Sequence, residues 1–516
     1  MHDRRNILKL AAATAAAGWL PRSSWSQTRF SSHPFALGVA SGSPLHDSVV
    51  LWTRLMGDVP AQAVTVRWEV AEDEAFAHIV QRGQQQALPE LAHSVHAEVA
   101  GLEADRWYFY RFMAGDAVST VGRTRTMPAP DAPASRLRLA YASCQRWEHG
   151  YFSAYRHMRD EDLDLVLFLG DYIYEYPGAA NAVRTTPGGW VLTLDDYRAR
   201  YALHRGEAEV QAMHAACPWL VTWDDHEVQN DYAGLVAGDS GPGVASFAVR
   251  RAAAYQAFYE HMPVRASALT RGVAGLISGA ETRLYSQQRF GRLASIVLID
   301  DRQYRDDHAC NTGGKLGSST IDPQTCAIWD DPKRTLLGAA QEQWLDGVLA
   351  QPGATWTIFG QQTLFGQRDF KPGEGRLLWN DGWDGYPAAR KRFTDTLQRR
   401  SVANPVLLGG DVHENWVGHV KADYAKPDSA SVGIELCGTS VTSRSAGNSR
   451  IAPVLAENPH FIFADSDRKG YGVVEFTPQR LSARLRVVDD VTRRDTRIET
   501  LASFTAAAGS ARIERT

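Results

Sequence analysis

The stretch "FLGDYIYEY", residues 168–176, follows directly on the apolar run "LDLVLF", residues 163–168. A segment apolar on both faces reads as a strand buried inside an α/β sheet, and it ends abruptly at Asp171, Tyr172, Tyr174 and Tyr176. Taken alone, this is a strand entering an aromatic loop, with Asp171 starting a turn. The same form recurs at four other places: Cys144 in "YASCQRW", Asp224 to His226 in "TWDDHEVQND", Asp300 to Arg302 in "LIDDRQYR", and Asp411 to His413 in "LGGDVHENW". In open α/β sheets the carboxyl ends of the strands face one crevice, so groups far apart in the chain can meet there.

The surrounding segments fit that reading. Strand candidates "RLRLAYAS", "PWLVTW", "SIVLID", "ATWTIFG", "NPVLLGG" and "SVGIELCG" alternate with helical patterns such as "LDDYRARYALHR", "FAVRRAAAYQAFYEHM" and "GAAQEQWLDGVLAQ". The tail, "YGVVEFTPQRLSARLRVV", predicts edge strands that complete this domain. Upstream the texture differs. "SVVLWTRL", "VTVRWEVA", "SVHAEVAGL" and "RWYFYRF" are short alternating strands, which predict a β-sandwich of immunoglobulin or fibronectin type over residues 28–127. The segment "GLEADRWYFYRF" resembles the corner at which a Tyr closes such a sandwich. A Pro- and Ala-rich linker at 128–135 then leads into a catalytic domain, 136–516.

Residues 1–27 read as a signal segment: Arg4 and Arg5 precede an apolar run from Ile7 to Leu20 and the small-x-small triplet Ser24, Trp25, Ser26. The arginine pair predicts export by the twin-arginine machinery and a periplasmic or secreted mature chain. The run falls short of the about 20 apolar residues a membrane span needs, so no transmembrane anchor is expected after processing. The chain has 516 residues, 55 basic and 59 acidic, with a formal net charge of −4 and no long run of either sign. Nothing in that balance suggests a stable nucleic-acid partner. Of the five cysteines, Cys310 and Cys326 flank a Gly- and Ser-rich loop and are the expected disulfide in an oxidising compartment.

Each strand-end group has a plain structural reading: Asp as a turn former or helix cap, Cys144 as a small buried hydrophobe, His413 as a satisfied core histidine. Together they pose an electrostatic problem. Several carboxylates in one crevice repel, and one would take up a proton unless cations lay between them. Thiolate, phenolate and imidazole suit a transition metal such as iron, whereas carboxylate and amide oxygens suit Ca²⁺, Mg²⁺ or Mn²⁺.

The ordered set "GVASGSPLHDSVVLWTRL", "ASCQ", "LGDYIYEY", "TWDDHEVQNDYA", "DDRQYR", "DPKRTLLGAAQEQWL", "DGWDGY" and "GGDVHENWVG" resembles the alkaline phosphatase D (PhoD-type) family of phosphatases and phosphodiesterases. The resemblance runs from about Phe35 to the end of the chain. It implies an N-terminal sandwich followed by a metallophosphoesterase-like core of two sheets covered by helices. It also implies iron(III) held by Cys144, Asp171, Tyr174, Asp411 and His413, with Asp171 bridging to one or two Ca²⁺ ions. Asp224 is the implied calcium ligand, Asn230 or Asp231 completes that ion's shell, and Asp225 touches either the ion or its ligands. Relatives often carry Asn-Asn where this chain has Asn230-Asp231.

The activity implied is phosphoester hydrolysis by attack of a metal-activated hydroxide or oxo group, with Asp171 at its centre. His226 would protonate the leaving alkoxide, bind phosphate or only orient Asp224, and Arg302 would neutralise developing charge or pair with Asp300 or Asp301. Phosphodiester hydrolysis of phospholipid or teichoic-acid-like substrates is the alternative within enzymes. A calcium-dependent adhesion protein is the alternative outside them. Trp383, Asp384 and Tyr386 either line the entrance or pack a Gly-rich turn. The mature protein is expected to be a monomer.

Overall fold

The computed structural model describes residues 30–269, 282–311, 315–351, 353–426 and 428–516. The signal segment expected at 1–27 lies outside them. The described chain is a mixed α/β structure built on two large sheets. The first has ten strands, in the order Glu514–Arg515, Ile498–Ala507, Arg480–Val488, Lys469–Phe476, Leu137–Ala142, Leu165–Leu169, Trp219–Thr222, Val39–Gly42, Ser48–Arg54 and Ser94–Ala100. The second has seven, in the order Ser286–Phe290, Ala294–Leu298, Trp356–Gly360, Pro405–Gly409, Ser431–Cys437, Asn415–Lys421 and Phe461–Asp465.

The two sheets pack face to face, because each central strand is apolar on both sides and must bury both. Leu139, Leu167 and Leu220 of the first sheet share one core with Ile296, Ile358, Leu408 and Leu436 of the second. Outward-facing residues of the first sheet, among them Val166, Phe168 and Trp219, are covered by the helices Ala154–Arg159, Leu194–Arg205, Ala208–Ala216 and Phe247–His261. The helices Gly338–Leu349 and Pro387–Arg399 cover the second sheet through Leu345, Phe393 and Leu397. Local signals agree with these bounds: Thr193 and Asp196 form a reciprocal capping box at the start of Leu194–Arg205.

The central strands of each sheet are parallel. Parallel pairing places the ends at Ala142, Leu169 and Thr222 along one edge of the first sheet, and those at Leu298, Gly360 and Gly409 along one edge of the second. The polar groups read from the sequence follow these ends within a few residues.

The tail differs from expectation. Lys469–Phe476 is an interior strand, paired on one side with Leu137–Ala142 and on the other with Arg480–Val488, which in turn pairs with Ile498–Ala507. Its residues are buried on both faces except Glu475, a pattern that edge strands do not show.

The N-terminal strands form a further layer. A five-stranded sheet of Ile79–Ala87, Val64–Ala71, Trp107–Ala114, Ala117–Val118 and Gly122–Arg125 packs onto Val39–Gly42, Ser48–Arg54 and Ser94–Ala100 through Leu51, Val66, Val70, Tyr108 and Phe112. At the corner singled out in the sequence, the Tyr108 hydroxyl accepts the Glu103 N–H at 2.9 Å. The three strands under this layer belong to the ten-stranded sheet. Val39–Gly42 runs parallel to Trp219–Thr222 and meets it at Gly42 and Trp219. A side chain at position 42 would come 2.7 Å from the Trp219 carbonyl oxygen, so glycine is what permits the join.

Cys310 and Cys326 form a disulfide, 16 residues apart. Cys144, Cys217 and Cys437 are free and buried. Because the bridge closes a loop of that length, Cys326→Ser or full reduction should lower the free energy of unfolding by about 3 kcal/mol, read from denaturant midpoints with and without reductant.

Candidate metal centre

Four of the strand-end groups sit on left-handed backbone that non-glycine residues seldom adopt: Cys144 at φ 60°, Asp171 at 57°, Asp411 at 64° and His413 at 59°. Each such conformation costs of order 1–3 kcal/mol and persists only where its surroundings enforce it. The surroundings here are specific. Cys144 N–H donates to Gly170 O at 3.1 Å and Gln145 N–H to Asp171 O at 3.0 Å, which clasps the first two strand ends together. Gly170, at φ 102°, lies against Asp224, and a Cβ there would overlap the Asp224 Cβ. Glu227 accepts the backbone N–H of Asp171 at 3.0 Å, of Tyr172 at 2.6 Å and of Asp224 at 2.7 Å. A single buried carboxylate thus fixes two strand ends in one relation.

These turns bring the side chains together in three overlapping groups whose ligand atoms all lie within 4.8 Å of one another: Cys144, Asp171 and His413; Asp171, Asp224, Asp225 and Asp411; and Asp171, Asp225 and His226. Asp171 belongs to all three. The Tyr174 hydroxyl donates to Asp171 Oδ2 at 2.8 Å, lies 3.2 Å from His413 Nε2, and is 2.7 Å from Ser443 Oγ. The Nδ1 of His413 faces the Arg444 carbonyl at 2.8 Å; as a donor there, it leaves Nε2 as a free lone pair toward Asp171 and Tyr174. Thr363 donates to Asp411 Oδ2 at 2.7 Å.

The electrostatics follow from burial. Burial first, and then the neighbouring acids, pushes the Asp171 carboxyl well above the usual carboxylate range. Burial likewise raises Asp224 despite Arg302, and lifts Asp411 to about 6. Burial, with Asp171 adding to it, raises the Cys144 thiol and the Tyr174 phenol well above their ordinary values. Burial and Lys469 hold the His413 imidazole neutral, with its pKa lowered to about 3. Asp171 Oδ1 and Asp224 Oδ2 are buried with no hydrogen-bond partner. Buried carboxylate oxygens without partners, beside a thiol, a phenol and an imidazole lone pair, are a donor set that fits cations and is costly without them.

Arg302 lies inside this cluster. It is 1% exposed, pairs through Nε with Asp224 Oδ1, and donates through Nη1 to Asp381 Oδ1 at 2.8 Å. Its Nη2 is 3.6 Å from Asp411 Oδ2 and 3.9 Å from Asp225 Oδ1 and has no hydrogen-bond partner. Asp300 instead caps the turn, accepting the N–H groups of Arg302 and Gln303, and Asp301 stands 3.9 Å from Arg302 Nε. His226 Nδ1 is 2.7 Å from Glu175 Oε2, and its ring lies 4.1 Å from that of Tyr174. Asp225 accepts the N–H of His226 at 3.0 Å and of Asp231 at 2.6 Å.

Asn230 and Asp231 stand apart from the three groups. The Asn230 amide donates to Asp239 at 2.9 Å, and Asp231 accepts from the Ser318 hydroxyl and, at 3.2 Å, from its N–H. Trp383, Asp384 and Tyr386 pack: the Trp383 indole donates to Gln361, Asp384 pairs with Arg390, and the Tyr386 hydroxyl donates to the Asp306 carbonyl.

Sequence reasoning passed over Glu227, Glu175 and Asp381. The first two sit inside the motifs "TWDDHE" and "DYIYEY", and proximity to the ligand candidates was the available signal.

Residues 139–485 match the family model for the PhoD-like phosphatase, and residues 20–128 match that for the PhoD-like phosphatase N-terminal domain. The chain belongs to the PhoD-like phosphatase family. It is 46% identical over 489 residues to alkaline phosphatase D of Bacillus subtilis (strain 168), covering 92% of this chain and 81% of the relative. A solved structure of PhoD superposes with a TM-score of 0.87 at 44% identity, covering 95% of this chain and 93% of that one. This PhoD-like protein is therefore a phosphoester hydrolase, and the strand-end cluster is its candidate active site.

Gly170 offers a test of the architecture that spares every candidate ligand. Gly170→Ala should displace Asp224, and the purified variant should lose bound metal and at least about tenfold in kcat/KM, in the range seen when groups that orient ligands are changed. Metal analysis beside circular dichroism would separate this from unfolding.

Proposed function

We propose that this PhoD-like phosphatase is an exported enzyme that holds iron(III) through Cys144, Asp171, Tyr174, Asp411 and His413. Ca²⁺ would be held on the side of Asp171, Asp224 and Asp225, with Asn230 or Asp231 completing its shell. The observation that carries the reading is Asp171, buried, common to all three ligand groups, and with Oδ1 unpartnered. When bound, the cations supply Lewis acidity and a deprotonated water at neutral pH.

The chain's own residues supply the rest. Arg302 is held rigidly by Asp224 and Asp381, which leaves Nη2 as an unused donor aimed into the carboxylate cluster. In that position it binds a phosphoryl oxygen and offsets charge that develops on it. His226 is oriented by Glu175, whose other oxygen accepts the Asn230 N–H at 2.8 Å and the Ser240 hydroxyl. With Nδ1 engaged, Nε2 faces away from Glu175 and delivers a proton to the leaving alkoxide. Burial opposes protonation of this imidazole, but Glu175, Asp171 and Asp225 outweigh it and raise its pKa well above the ordinary value.

For the division into an immunoglobulin- or fibronectin-like unit at 28–127, a linker at 128–135 and a metallophosphoesterase-like catalytic unit from 136, the Tyr108 corner and the Pro- and Ala-rich stretch 128–135 are the support, while three strands of the first unit extend the ten-stranded sheet of the second. Twin-arginine export to the periplasm or medium rests on Arg4, Arg5 and the apolar run after them. No helix among the described residues is long and apolar enough to cross a membrane. We take the mature protein to be a monomer. Family membership sets aside the adhesion alternative.

Hydrolysis of phosphodiesters, of phospholipid or teichoic-acid type, remains the second reading. Rates on aryl monoesters and diesters, measured side by side, decide between them; the first reading expects the larger kcat/KM on the monoester.

Asp171→Asn and His413→Ala should each lower metal content and reduce kcat/KM by at least about 100-fold. Chelation of the native enzyme should abolish activity. Full activity and full metal content in both variants would refute the assignment.

A further inference from the structure

Arg205 ends the helix Leu194–Arg205 and is fully buried. Its guanidinium lies 4.1 Å over the ring of Trp52, and its side-chain hydrogen-bond partner is the neutral Tyr172 phenol. The ionisable groups that act on it are the phenols of Tyr172 and Tyr110, and no carboxylate is among them. In this it stands apart from the other buried arginines of the described residues. Arg302, Arg305, Arg390 and Arg125 each meet an aspartate, while Arg200, Arg250 and Arg251 donate to backbone carbonyls.

A guanidinium stays charged in a protein, and a buried, unpaired charge is among the most costly arrangements a fold can hold. Stacking on Trp52 offsets part of that cost. The nearby polar groups do not offset the rest, because they are neutral hydroxyls and an imidazole that carry no opposing charge. Ser41 and Tyr110 pair with each other, His214 Nδ1 is buried without a partner, and Tyr172 Oη is 3.1 Å from His214 Nε2. The neighbourhood holds one fixed positive charge and a surplus of hydrogens to donate. A water molecule there would accept two of them but leave the charge uncompensated and add two more hydrogens needing acceptors.

We propose that Arg205, with the hydroxyls of Ser41, Tyr110 and Tyr172, forms a buried site for a small monovalent anion, filled by chloride under ordinary conditions. The site lies at the seam of the molecule. Ser41, Trp52 and Tyr110 come from the N-terminal strands Val39–Gly42, Ser48–Arg54 and Trp107–Ala114, whereas Arg205 and Tyr172 come from the phosphatase body. A single charge, sealed from solvent and with no second cation engaged, selects a small monovalent ion over phosphate. The anion thereby ties the two parts of the chain together and stabilises the folded form by mass action.

The test uses the metal-loaded full chain. Crystals grown in sodium bromide should show an anomalous peak at hydrogen-bonding distance from the Arg205 guanidinium. At constant ionic strength, replacing gluconate by chloride should raise the thermal midpoint of the native protein, by equal increments per tenfold rise in chloride above the dissociation constant. In Arg205→Met the midpoint should not respond. An ordered water without anomalous signal at Arg205, a native midpoint indifferent to chloride, or an undiminished chloride response in Arg205→Met would each overturn the proposal. Should Arg205→Met not fold, the bromide experiment on the native protein decides.

Discussion

The architecture depends on one constraint, the mutual repulsion of acids taken out of water. Asp171, Asp224, Asp225 and Asp411 share a pocket from which solvent is largely excluded, and Glu227 stands directly behind them. Protein groups answer only part of this charge. Arg302 engages Asp224 and Asp381, and backbone N–H groups engage Glu227 and Asp225. Asp171 Oδ1 and Asp224 Oδ2 have no hydrogen-bond partner, so cations complete the structure as much as they equip it for chemistry.

The backbone carries the same message by another route. Four ligand candidates hold left-handed conformations, and the strain is local to the turns that end parallel strands. Strained turns at strand ends direct side chains back across the crevice, which a relaxed loop would not do. The two-sheet core below them is rigid and apolar, and it sets the spacing between Cys144, Asp171 and Asp224 on one side and Asp411 and His413 on the other. Metal affinity and fold stability are therefore coupled through the same residues.

Much of this was legible in the sequence. Runs apolar on both faces announced the central strands, and their abrupt polar ends announced the site, because parallel pairing sends all such ends to one edge. Position in space was harder to read. The role of Glu227 as a backbone acceptor exists only once the loop at Gly170 has been brought to Asp224. Asp381 follows the irregular stretch 361–377, which no periodicity describes, and meets Arg302 only in the folded chain. The tail misled because Arg480–Val488 alternates buried and half-exposed residues as an edge strand does, although neighbours on both sides pair with it. Asn230 and Asp231 carry the right chemistry, but the turn after Gln229 directs their side chains to Asp239 and Ser318.

The join at Gly42 and Trp219 has a wider meaning for how this enzyme can be cut or rearranged. Three strands from the beginning of the chain extend the ten-stranded sheet past Trp219–Thr222. Removing them would leave a short, now buried strand with unpaired amides at the border of the sheet, a template for association with other chains. The amino-terminal module is thus the lateral cap of the catalytic sheet, and the two have to be inherited, expressed and engineered as one piece.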